Sequence, residues 1–132
     1  MPRKPRPLGR GQGAQYKKKL PYIIDVDEAG KIADDIIQRA RSIGYHIGLG
    51  RGLCLKGFCY RLKGEYDAGI EVLKEALAIS KKINERNIEA TVLYYLGNIY
   101  RDLGDLSNVQ SHYEKALAIN EASGDEYYQS VI

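Results

Sequence analysis

The chain repeats itself at an interval of forty residues, and that periodicity limits its fold more than any single motif does. Residues 56–67 (KGFCYRLKGEYD) overlay residues 96–107 (LGNIYRDLGDLS), so that Gly57, Tyr60, Arg61 and Gly64 meet Gly97, Tyr100, Arg101 and Gly104. Further on, Ala76, Leu77, Ala78 and Ile79 meet Ala116, Leu117, Ala118 and Ile119. Residues 24–44 overlay residues 64–84 as a partial third copy. A unit this short cannot bury an apolar face by itself, so the copies must stack on one another around a continuous core.

The spacing within each copy is that of two helices. Ala90, Leu93, Leu96, Gly97 and Tyr100 recur at helical intervals, and Gly104 offers the left-handed residue that ends a helix at little cost. Asp105 or Ser107 can cap the next helix, which shows Val109, Tyr113, Ala116, Leu117 and Ile119 on one flank. The preceding copy repeats the scheme with Leu53, Gly57 and Tyr60, a break at Gly64, Asp67 as cap, then Ile70, Leu73, Ala76 and Leu77. Gly57 and Gly97 are expected to let paired helices approach closely, with Ala76 and Ala116 doing the same between repeats.

Taken together, Leu93, Leu96, Gly97, Tyr100, Gly104, Asp105, Tyr113, Ala116 and Leu117 resemble the tetratricopeptide repeat pattern, and the copy from Leu53 to Leu77 matches it as well. The resemblance covers residues 24 to about 126 and implies an all-α solenoid of antiparallel helix pairs. It departs from the pattern in its period, which is forty residues against a usual 34 or so. It also lacks the usual closing proline. The small residue expected early in the second helix is Ala29 upstream, but Gly69 and Val109 later.

The expected organisation is a basic, Pro- and Gly-rich arm over residues 1–22 and a helical repeat domain over residues 23–132. The domain divides into a helix at 27–43, repeats at 48–84 and 87–123, and the start of a further helix at 126–132. That amounts to two complete repeats, a preceding half repeat and a stub. Neither end shows a polar cap, so the chain is expected to belong to a longer solenoid, as the N-terminal regulatory part of a larger signalling protein, or to self-associate through its ends, or both.

The stretch YHIGLGRGLCLKG (residues 45–57) has the glycine density of a phosphate loop. Such a loop follows a strand and places Ser or Thr after its lysine, whereas here Gly57 follows Lys56 and the segment aligns with residues 88–97 of a first helix. A helix is therefore expected, starting late, near Leu49, because each interior glycine costs roughly 0.5–1 kcal/mol relative to alanine.

Charge is unevenly placed. The arm carries Arg3, Lys4, Arg6, Arg10, Lys17, Lys18 and Lys19 and no acid, so the remainder of a chain of net charge +3 is acidic. The arm could make salt-sensitive contacts to nucleic acid or another acidic partner. No apolar run approaches the roughly 20 residues of a membrane span, so no membrane association is expected. Cys54 and Cys59 lie five residues apart, on different sides of a helix, and suggest a reducing, cytoplasmic setting.

The residues assemble no catalytic set. His46 and His112 lack partners in sequence, the two cysteines lack metal-ligand spacing, and Asp25, Asp27, Asp34 and Asp35 read as helix-start and surface charges. No enzyme activity, metal or cofactor is expected. The resemblance implies instead a protein-binding scaffold whose first helices line a concave groove for a peptide or helix. Carried over by position, the groove residues are Arg51, Cys54, Phe58, Arg61, Tyr94, Asn98 and Arg101. Cys54 and Phe58 stand where relatives that clamp a terminal carboxylate use Lys and Asn, so that mode is not expected. The three arginines favour an acidic ligand.

Overall fold

The computed structural model describes residues 25–131, with side chains placed as far as Ser123. The basic arm lies outside the described residues. Five helices follow one another: α1 (Val26–Ile43), α2 (His46–Leu62), α3 (Tyr66–Lys82), α4 (Arg86–Leu103) and α5 (Leu106–Val131). Each packs on the next, and α2 also packs on α4 across one intervening helix. Among the described residues there is no strand. This is the all-α helix-pair solenoid that the periodicity predicts.

The four turns share one geometry. Each contains a residue in the left-handed region: Gly44 (φ 70°), Gly64 (φ 75°), Asn84 (φ 57°) and Gly104 (φ 78°). The next amide donates five residues back. Tyr45 bonds to Ala40, Glu65 to Tyr60, Glu85 to Ser80 and Asp105 to Tyr100, each at 2.9 Å. That bond satisfies a helix-end carbonyl and reverses the chain in two or three residues, so successive helices lie antiparallel.

Caps differ between copies. Asp25 Oδ1 accepts from the amides of Asp27 and Glu28 at 2.9 and 3.3 Å. Asp105 accepts from the Asn108 amide at 3.4 Å and the Asn108 side chain at 2.6 Å, and these bonds hold its carboxyl below the usual carboxylate range. The cap expected at Asp67 is not formed. The turn places Glu65 at the cap position without a side-chain bond, and Asp67 becomes the second helical residue.

Two boundaries also differ from expectation. Helix α2 begins at His46 rather than near Leu49. The Gly44 turn is followed at once by the Leu49 amide bonding to the Tyr45 carbonyl at 3.0 Å, which closes the first helical turn. Packing then offsets the low propensity of the glycines. The Tyr45 ring covers Gly48, and Ile36 and Ile37 press on Gly52 so closely that a Cβ there would lie 2.9 and 3.0 Å from them. At the other end, residues 126–131 start no new helix, and α5 runs through to Val131. Starting a new helix there would need a second nucleation, which costs more than continuing α5. Propagation, which adds one hydrogen bond per residue fixed, is the cheaper course.

Gly57 and Gly97 occupy equivalent surroundings. A Cβ on Gly57 would meet the Leu73 side chain at 2.5 Å, and one on Gly97 would meet the Tyr113 ring at 2.4 Å. The main core gathers Leu49, Leu53, Leu73, Ala76, Val92, Leu96 and Ile99, while Ala90, Leu93, Ala116 and Ile119 form a second cluster against which Leu77 packs. Leu117 does not join its expected flank and is 57% exposed.

Gly50 has more room than Gly57. A Cβ there would make ordinary contact with Ile88 at 3.4 Å and Ile79 at 3.9 Å. Gly50→Ala is therefore expected to raise stability by about 0.5–1 kcal/mol, the helix-propensity difference. Thermal denaturation checks this, and a lower midpoint would contradict it.

Candidate functional site

Helices α2 and α4 are the first helices of consecutive repeats, and they lie side by side. Between them is a hollow of about 310 Å³. Arg51, Cys54 and Leu55 form its α2 wall, and Asn87, Ile88, Thr91 and Tyr95 form its α4 wall. A second hollow of about 370 Å³ shares Thr91 and Tyr95 and adds Ala90, Tyr94 and Asn120. A run of rings joins the two helices and continues to α5. Phe58 and Tyr95 have centroids 5.7 Å apart, Tyr95 and Tyr94 6.3 Å, and Tyr94 and Tyr113 5.5 Å. Tilted rings at these separations are in the range of favourable aromatic contact.

The seven groove candidates divide. Arg51 and Cys54 line the hollow itself, and Phe58 and Tyr94 stand exposed on the aromatic run. Arg61 instead donates to Asp102 twice, Nε to Oδ2 at 2.8 Å and Nη2 to Oδ1 at 3.3 Å. Both side chains are about three-quarters covered. The bidentate pair ties α2 to α4 and so acts as a strut between repeats. Asn98 is buried and accepts a hydrogen bond from the Tyr113 hydroxyl, which turns it towards α5. Arg101 is exposed and lines neither hollow. Among the described residues no carboxylate lies within ion-pair distance of Arg51, whereas Arg39, Arg41, Arg61 and Arg86 each have one.

Leu55, Asn87, Ile88, Thr91, Tyr95 and Asn120 were not among the sequence candidates. A signal for two of them was present: Thr91 and Tyr95 are the forty-residue equivalents of Arg51 and Leu55 and share a helix face at i, i+4.

The chemistry of the site is that of contact. Burial pushes the Cys54 thiol up to about 12. Cys59 also sits above the ordinary thiol range, chiefly through burial, with Lys56 and Lys63 opposing the shift. Both cysteines are free and stay protonated near neutrality, which makes them poor nucleophiles. Tyr95 is raised as well, first by burial, so its hydroxyl remains a hydrogen-bond donor. His46 is exposed, and His112 has Nδ1 2.7 Å from the Asn108 carbonyl with its ring 5.1 Å from that of Tyr100. Among the described residues no cluster of His, Cys, Asp and Glu is placed to hold a metal, and no helix is long and apolar enough to cross a membrane.

A family model for the tetratricopeptide repeat matches residues 49–122, more than half of the chain. A search of curated proteins returned no match. Proteins built from these repeats generally mediate protein–protein interaction and are typically non-catalytic scaffolds. The repeat register, the shared turn geometry, the paired close approaches at Gly57 and Gly97, and this match make the chain a member of the tetratricopeptide repeat family.

Proposed function

We propose that the groove between α2 and α4 binds an extended segment of a protein partner that presents a carboxylate to Arg51 and an apolar or aromatic side chain to Phe58 and Tyr95. The observation that carries this reading is the company Arg51 keeps. It stands at a hollow otherwise lined by Cys54, Leu55, Asn87, Ile88, Thr91 and Tyr95, with no acid in ion-pair reach among the described residues, whereas Arg61 is already committed to Asp102. A guanidinium beside low-polarity walls gains from a carboxylate brought by a ligand, because its hydrogen bonds are then charge-assisted and partly shielded from water. Asn87 and Thr91 supply neutral polar groups that suit a peptide backbone. The unbridged, buried cysteines fit a reducing compartment, which is why we place this activity in the cytoplasm.

The test is selection from a random peptide library followed by titration of the winners. Selected peptides are expected to carry Asp or Glu next to an apolar residue. Arg51→Glu should weaken them about tenfold or more, the equivalent of losing one charge-assisted hydrogen bond. Winners that are basic, or indifferent to Arg51→Glu, would overturn the assignment.

A further inference from the structure

The seam between α2 and α4 is fastened at intervals along its length. Towards the N-terminal ends, Ile88 packs over Gly50, where a Cβ would lie 3.4 Å from its side chain. Midway, the Phe58 and Tyr95 rings meet with centroids 5.7 Å apart. At the C-terminal ends, Arg61 donates to both carboxylate oxygens of Asp102. These fastenings differ in kind. Apolar contacts are non-directional and tolerate sliding. A bidentate guanidinium–carboxylate pair fixes a distance and an orientation. Both of its side chains are largely covered, whereas every other ion pair among the described residues has one side chain more than half exposed. The acid does not belong to the repeat. Arg61 recurs as Arg101, but the counterpart of Asp102 one repeat earlier is Leu62. The tie is therefore an addition to this seam rather than a consequence of the repeat pattern.

We propose that Arg61 and Asp102 are positioning residues for the hollow: the pair sets the separation of α2 and α4 at which Arg51 on one wall and Thr91 and Tyr95 on the other face a common ligand. Neither residue lines the hollow. They act through the helices that carry them, since α2 bears Arg51, Cys54 and Arg61, and α4 bears Thr91, Tyr95 and Asp102. Arg61 lies about 15 Å along α2 from Arg51, so a change of tilt at the tied end is carried to the walls by rigid helices. Without the pair, α4 is held on α2 by contacts that permit more than one separation. The consequence for ligand affinity rests on the groove reading above. The consequence for the seam does not, because Cys54 lies buried at the hollow and its thiol reports any opening there.

The test times the alkylation of Cys54 by iodoacetamide in the full chain. Cys59→Ala serves as the parent, which leaves Cys54 as the sole thiol. Arg61→Met with Asp102→Leu then removes the pair without leaving an unpaired charge in the seam, so folding stability is expected to stay close to that of the parent. Cys54 should nevertheless react about tenfold faster, the equivalent of one charge-assisted hydrogen bond lost to local opening. Arg41→Met with Glu75→Leu removes the exposed pair between α1 and α3 in the same way and should leave the rate unchanged. A peptide selected as described above should bind the variant lacking Arg61 and Asp102 about tenfold more weakly. An unchanged rate in that variant overturns the proposal. So does a rise no larger than its loss of global stability in urea denaturation accounts for, or an equal rise on removal of Arg41 and Glu75. A peptide that is weakened by Arg51→Glu but indifferent to loss of the pair overturns it as well. Failure of the groove reading shows instead as a peptide indifferent to Arg51→Glu, and it leaves the thiol rates unaffected.

Discussion

Leu73→Ala is expected to lower folding stability by about 2–5 kcal/mol, and Gly57→Ala by about 1–3 kcal/mol, yet the double variant should lose much less than the sum. Leu73 is fully buried at the centre of the main core, so truncation removes its contacts and leaves a cavity. Gly57 fails for the opposite reason. A Cβ there would lie 2.5 and 2.6 Å from Leu73 Cγ and Cδ2, so either the leucine leaves its place or α2 and α3 separate. The gain in helix propensity from Gly to Ala, roughly 1 kcal/mol at most, does not offset that. With Leu73 already truncated, the new methyl enters vacated space. The interaction energy between the two changes should be at least about 1 kcal/mol in the compensating direction, within the range for residues in direct contact. Urea denaturation of the four proteins gives it directly. Additive losses would mean that the glycine is not there to admit the leucine.

That pairing shows what the sequence makes legible and what it does not. The correspondence of Gly57 with Gly97 is visible as a recurrence, and so is the left-handed residue at Gly64 and Gly104, because such features depend on local backbone requirements that repeat with the unit. The positions of their partners repeat as well, since Tyr113 is the forty-residue equivalent of Leu73, but the side chains differ. Leu73 covers one glycine and Tyr113 the other, and it is packing that reveals the contact of each with its glycine. The start of α2 was misplaced because propensity weighs each glycine alone, whereas Tyr45, Ile36 and Ile37 press on Gly48 and Gly52 from other parts of the fold. Leu117 copies Leu77 in sequence, but burial depends on the neighbouring repeat rather than on the residue. The groove was legible only in part for a similar reason. Positional transfer offers Arg51, which lines the hollow, and Phe58, which stands exposed, but it could not see that Arg61 finds Asp102 forty-one residues away, or that Asn98 finds Tyr113.

The Asn98–Tyr113 pair separates a structural role from a binding one. Tyr113→Phe keeps the ring that lies over Gly97 but removes the hydroxyl that donates to Asn98 Oδ1. Asn98 is only 7% exposed, so its oxygen then has little access to water. The expected loss of stability is about 1–3 kcal/mol, the cost of a buried polar group without its partner. Asn98→Ala should cost a comparable amount, and the two changes together little more than either alone, since each breaks the same bond. Neither change should alter the affinity of a groove peptide, because Arg51, Thr91 and Tyr95 are untouched and Asn98 lines neither hollow. The opposite pattern, in which Asn98→Ala leaves the denaturation midpoint in place and weakens the peptide, would return Asn98 to the ligand. Both readouts come from the same three variants, so stability and affinity together decide which molecule the Asn98 amide serves.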